Sequence, residues 1–146
     1  MPHDASVTRL VPMVTYEQML ERIRYAGVYP TTERAERSVR LVLTGLGRQL
    51  GEAERRELAA RLPGEAAGML LAERPGAGAA PLTGWGFVKD LATRAEAPLA
   101  TTRWDVGSVL TVVAPLAGPD LLARILESLP GGYALLFGKA ELIQAA

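Results

Sequence analysis

Apolar residues recur at helical spacing along most of the chain, and turn residues interrupt them at regular intervals. Thr15-Tyr16-Glu17-Gln18 has capping-box spacing, and Met19, Leu20, Ile23 and Ala26 follow as one apolar stripe. Gly27 is placed to stop this first helix. Pro30 precedes Thr31 and Thr32, either of which can cap a second helix running to about Leu50. A third helix is expected over about Glu52 to Arg61. Leu62-Pro63 then breaks the run, because Pro suits a first helical turn and disfavours α geometry before it. A fourth helix reaches about Ala72. Four more are expected over about Trp85 to Ala95, Thr102 to Leu116, Pro119 to Ser128 and Pro130 to Gln144, with Pro115 disturbing the last turn of the second of these.

The two sets of four are copies. At a shift of 67 residues, Val39 to Leu70 lies against Val106 to Phe137 without a gap. Val42-Leu43-Thr44 meets Val109-Leu110-Thr111, Gly51 meets Gly118, and Leu62-Pro63-Gly64 meets Leu129-Pro130-Gly131. Leu46 with Val113, Leu58 with Ile125 and Leu70 with Phe137 keep their character. Copies of one supersecondary unit stack and share a core. The expected fold is all-α, with two tandem four-helix units packed into one compact bundle. Its parts are a flexible tail over 1–14, a first repeat over 15–72, a Pro/Gly linker over 73–84 and a second repeat over 85–146.

Composition narrows the chemistry. Apolar residues make up 49% and charged residues 22% of the 146, enough for a real core. There is no cysteine, which excludes a disulfide scaffold, a thiolate zinc site, an iron–sulfur cluster and a cysteine nucleophile. The 16 basic side chains balance the 16 acidic ones, so no general field draws the chain to nucleic acid or to an anionic membrane. No signal or spanning segment is legible, and a cytoplasmic location is expected.

The early apolar helix, the run Val39…Val42-Leu43 with its copy Val106…Val109-Leu110, and the two Leu-Pro turns together resemble a helical bacterial family, domain of unknown function 2267. Leu129-Pro130-Gly131-Gly132-Tyr133…Leu136-Phe137 is similar to that family's C-terminal ending. The resemblance covers about Thr15 to Gly138. It implies an all-α fold of paired helical repeats and implies no activity. Two departures stand out. Gly86-Phe87 opens the fifth helix weakly, and Gly131-Gly132 replaces the acidic residues usual after the second Leu-Pro.

No catalytic constellation is legible. His3 is the single histidine and lies in the expected tail, so Ser38, Ser108 and Ser128 have no histidine to activate them, and a Ser–Lys pairing with Lys89 or Lys139 has no local motif. Glu17/Glu21 and Glu33/Glu36 have helical spacing, yet no Glu-x-x-His completes a di-metal pattern. Gly76-Ala77-Gly78 lacks the Gly-Lys-Ser/Thr of a phosphate loop. Neither a metal nor another cofactor is expected.

Two surfaces remain as candidates. On the second helix, Arg37, Arg40 and Arg48 fall about 240–320° round from Arg34, whereas Val39, Val42, Leu43 and Leu46 fall at about 80–180°. Arg34, Arg37, Arg40 and Arg48 therefore read as a solvated charged surface, laced by Glu33–Arg37 and Glu36–Arg40 pairs. The interleaved glutamates argue against nucleic acid. Trp104 points away from the stripe of Val106, Val109, Leu110 and Val113, and Val112 widens the apolar face. From Gly76 onward there are 11 charged residues against 21 before it, so the second half is the better place for an interface. Trp104 and Val112 are the candidate contacts for a protein partner or a second copy, with packing of Trp104 under the linker or the first repeat as the other reading. The expected function is a non-enzymatic interaction or self-association module. The alternative is a small-molecule carrier with an apolar pocket between the repeats.

Overall fold

The computed structural model describes residues 14–73 and 81–139. Among them eight helices form: α1 (Tyr16–Gly27), α2 (Thr32–Gln49), α3 (Glu52–Ala59), α4 (Gly64–Leu70), α5 (Gly84–Ala95), α6 (Leu99–Ala117), α7 (Pro119–Ser128) and α8 (Tyr133–Leu136). No strand occurs among the described residues. The fold is all-α, built from two tandem four-helix units.

Local chemistry sets most helix starts. The Thr15 hydroxyl accepts from the Gln18 N–H at 3.1 Å, and the Gln18 side chain accepts from the Thr15 N–H at 3.0 Å, a closed capping box. Of the two candidate threonines, Thr31 caps α2, accepting from the Arg34 N–H. Gly27 does not stop α1 by its conformational freedom. It is the last helical residue, and a Cβ there would collide with the Tyr29 ring and come within 2.8 Å of the Ser108 hydroxyl. The left-handed cap is Val28, at φ 53°, and Glu96 takes the same role after α5. A β-branched side chain in this region costs about 1–2 kcal/mol. Val28 is 78% exposed, so little packing is lost with it. Val28→Gly is expected to raise stability by about 0.5–1 kcal/mol after glycine's greater unfolded-state freedom is subtracted. A denaturant midpoint that moves down would contradict this.

The repeats pack reciprocally. α1 lies on α6 of the other copy, and its counterpart α5 lies on α2. α2 packs on its own counterpart α6, and α3 on its counterpart α7. This is the logic of an isologous interface written into one chain. Glu57 and Arg124, equivalent by the 67-residue shift, meet across it in a bidentate pair at 2.8 and 2.6 Å. That pair holds the Glu57 carboxyl below its ordinary range. One core results, with Met19, Ile23, Leu43, Leu46, Phe87, Leu91, Leu110 and Leu121 among its fully buried side chains. The first helices of the copies also correspond, at a shift of 68. Tyr16, Met19, Leu20 and Ile23 of α1 are buried where Gly84, Phe87, Val88 and Leu91 of α5 are buried. One residue inserted between these helices and the next pair hides this match from an ungapped comparison.

Several boundaries differ from expectation. The last helix is four residues long within the described part, not a run from Pro130, because Gly132 takes φ 101° and replaces the first turn. The rest of the expected helix, 140–144, lies outside the described residues. α6 begins at Leu99 rather than Thr102 and continues through Pro115 to Ala117, held by the buried Val113 and Ala117. The tail over 1–13 and linker residues 74–80 lie outside the described residues, and His3 with them. At the tail's end, Val14 is buried against the core. At the linker's end, the Leu82 N–H donates to Gln49 Oε1 at 2.9 Å, the Tyr133 hydroxyl donates to the Leu82 carbonyl at 3.0 Å, and Thr83 caps α5.

Candidate functional site

Where α1 ends against α6, a buried polar cluster joins the repeats. Asp105 accepts from the Tyr29 hydroxyl at 2.6 Å, and one Arg34 nitrogen donates to both of its carboxylate oxygens, at 3.1 and 3.0 Å. The other Arg34 nitrogen donates to the Ser38 hydroxyl at 2.7 Å, and the guanidinium lies 4.9 Å from the Tyr29 ring centroid. Ser38 and Asp105 are equivalent positions of the two copies, so the cluster straddles the pseudo-symmetric contact of α2 and α6. Burial, then the hydrogen bond to Asp105, raises the Tyr29 phenol above its ordinary value, so it stays protonated and donating. These hydrogen bonds tie the two repeats together at this point.

This cluster sets the position of Trp104, one residue before Asp105. The indole N–H donates to the Gly27 carbonyl at 2.8 Å, which satisfies an acceptor at the end of α1. The ring remains 54% exposed. One edge of the ring is thus tied to the first repeat and the rest faces outward. Beside it a groove of about 260 Å³ runs between Ala26 of the first repeat and Gly107, Ser108, Leu135 and Leu136 of the second. A second groove, of about 310 Å³, has Trp85, Val88 and Gly132 on its walls. The two grooves share Arg103, Leu135 and Leu136.

The turn before α8 makes this second groove. The Gly84 N–H donates to the Gly131 carbonyl at 2.8 Å, and a Cβ on Gly84 would approach the Gly132 carbonyl to 2.6 Å. Only a glycine pair lets α8 cross this close to the start of α5. The crossing places Leu135, 65% exposed, beside Trp85, 56% exposed. Trp104, Leu135 and Trp85 thus form one apolar face across the second repeat.

The structure separates the other candidates. Val112 does not line these grooves. It is partly buried and packs against the core, because it lies towards the core side of α6 relative to Trp104. The charged surface of α2 is reduced to Arg37 and Arg40, both exposed. Of its expected pairs, Glu36–Arg40 closes to 4.0 Å, and no Glu33–Arg37 pair forms among the described residues. Arg34 turns inward to Asp105, since the neighbouring copy covers that side of α2. Arg48 is only 7% exposed and reaches Glu73 at 3.3 Å and Asp90 at 3.9 Å. The segment leaving α4 and the face of α5 cover the part of α2 that a single-helix projection leaves open. Arg55 is buried alongside and donates to the carbonyls of Leu71 and Glu73.

The chain matches the family model described as "Uncharacterized conserved protein (DUF2267)" over residues 16–136. It belongs to the DUF2267 family. The match runs from the first residue of α1 to the last of α8, so it takes in both repeats and the whole Trp104–Trp85 face. No curated protein matches the chain. Within this DUF2267 chain, no helix is long and apolar enough to cross a membrane, and no group of His, Cys, Asp and Glu is placed to hold a metal ion, both among the described residues. Leu135, Trp85 and Arg103 were not singled out by pattern. Leu135 reads as one more apolar position, yet it faces outward from α8 while Tyr133 and Leu136 of the same helix are buried in the core.

Proposed function

We propose that this DUF2267 chain is a non-enzymatic helical module for protein–protein interaction or self-association, and that Trp104, Leu135 and Trp85 are its contact face. The observation that supports this reading most is the continuous apolar face, carrying two half-exposed tryptophans on a rigid helical frame. Tryptophan anchors of this kind dominate binding energy where a partner excludes water around them. At the inter-repeat contact, Tyr29, Arg34, Ser38 and Asp105 are hydrogen-bonded to one another, which favours a structural role for them. The carrier alternative has less in its favour, because the grooves lie at the surface while the space between the repeats is filled by core side chains.

Leu135→Asp tests the reading. The side chain is exposed, so folding stability should change by no more than about 0.5 kcal/mol. A carboxylate in the centre of the face should weaken association with a second copy or a bound protein at least tenfold. Analytical ultracentrifugation of the chain and its complexes measures this. Association equal to that of the unaltered chain would overturn the reading.

A further inference from the structure

The two copies differ most where the apolar face lies, and the difference has a sign. Using the correspondence of the helices, the first copy carries Glu17, Glu21 and Glu36 where the second carries Trp85, Lys89 and Arg103. Gly68 stands where Leu135 does. Tyr16 stands where Gly84 does. The Tyr16 ring is buried, and its hydroxyl donates to Glu36 at 2.8 Å. In the second copy the Gly132 backbone occupies the space that a Gly84 side chain would enter, and the groove beside Trp85 opens next to this crossing. Acidic positions of one copy have thus become apolar or basic in the other, beside that groove.

The cations at this face are uncommitted. Neither Lys89 nor Arg103 has a carboxylate partner among the described residues, although ten other ion pairs are formed within them. Lys89 extends over the Trp85 ring at 5.9 Å from its centroid, and Arg103 borders both grooves. No acidic side chain lines either groove among the described residues. The walls are helical and offer no strand edge to extend, so an extended peptide finds no backbone partners there.

We propose that the Trp85–Leu135–Trp104 face takes an acidic amphipathic helix of a protein partner. This rests on the interaction reading above. The partner's apolar residues, spaced i, i+3, i+4 and i+7, fill the two grooves across Leu135. Its carboxylates meet Arg103 and Lys89, which steers the encounter and fixes the orientation. Two cations are few for an anionic membrane, which basic segments engage with clusters of about four to eight.

A display selection tests this. A library of helical peptides with a fixed leucine face and random flanking positions is selected on the full chain and counter-selected on Leu135→Asp. The enriched peptides should carry acidic flanks. Their affinity should fall at least tenfold for a Lys89→Glu/Arg103→Glu variant, and a version with lysines in place of the acids should regain binding to that variant. Neutral or basic flanks, or indifference to the charge reversal, would overturn the proposal. If such peptides still depend on Leu135, the interaction reading survives without its acidic partner. If no peptide distinguishes the chain from Leu135→Asp, both fall. A dimer lost on Leu135→Asp, or binding to phosphatidylserine vesicles in place of acidic peptides, would also overturn the acidic-helix assignment.

Discussion

Leu43→Ala and Leu110→Ala are each expected to cost about 2–5 kcal/mol of folding stability. Both leucines are fully buried, one at the same point of α2 as the other is of α6. These two helices are the central pair, each packed on its counterpart and on the first helix of the opposite copy. Truncation leaves a cavity that a close-packed interior fills only in part, so the loss exceeds the transfer free energy of the deleted methyls. Because the repeats share one core, each substitution should lower the midpoint of a single cooperative urea transition. Arg40→Ala, on the exposed side of α2, should change it by no more than about 0.5 kcal/mol. A silent substitution at either leucine would contradict the shared core for that copy.

Asp105→Ala should be comparably damaging, at about 3 kcal/mol. Breaking a buried pair leaves its partner charged and uncompensated, which costs about 3–5 kcal/mol. The lower end applies here because the Arg34 side chain keeps a quarter of its surface exposed. The same change strips the Tyr29 hydroxyl of its acceptor. Asp105→Asn, which retains an acceptor for one donor, should lose less. Denaturant titration of the two variants separates charge from hydrogen bonding, and an Asp105→Ala chain as stable as the original would show that the cluster does not hold the repeats together.

The all-α class, the duplication and most helix bounds were legible in sequence because they rest on local signals: capping residues, proline breaks and apolar spacing. What was not legible depended on the other copy. A projection of α2 alone places Arg34 and Arg48 opposite the core, but α6 approaches one and the α4 exit segment with α5 covers the other. Asp105 carries no local signal, because its partners, Tyr29 and Arg34, are more than 70 residues away. The outward position of Trp104 was legible, since an apolar residue off the core stripe is a local signal. Its companion Leu135 was missed, because a close glycine crossing decides where α8 lies, and that crossing needs Gly84 from the far end of the repeat. Val112 packs partly against the core, because the core of this double-repeat fold wraps further round α6 than one stripe indicates.

Native mass spectrometry of the chain purified from its own host tests the interaction reading most directly. The account predicts a mass of the chain plus a bound protein, either a partner or a second copy, and loss of that added mass in the Leu135→Asp chain. A chain that carries only a small molecule, or a protein complex unaffected by Leu135→Asp, would contradict it.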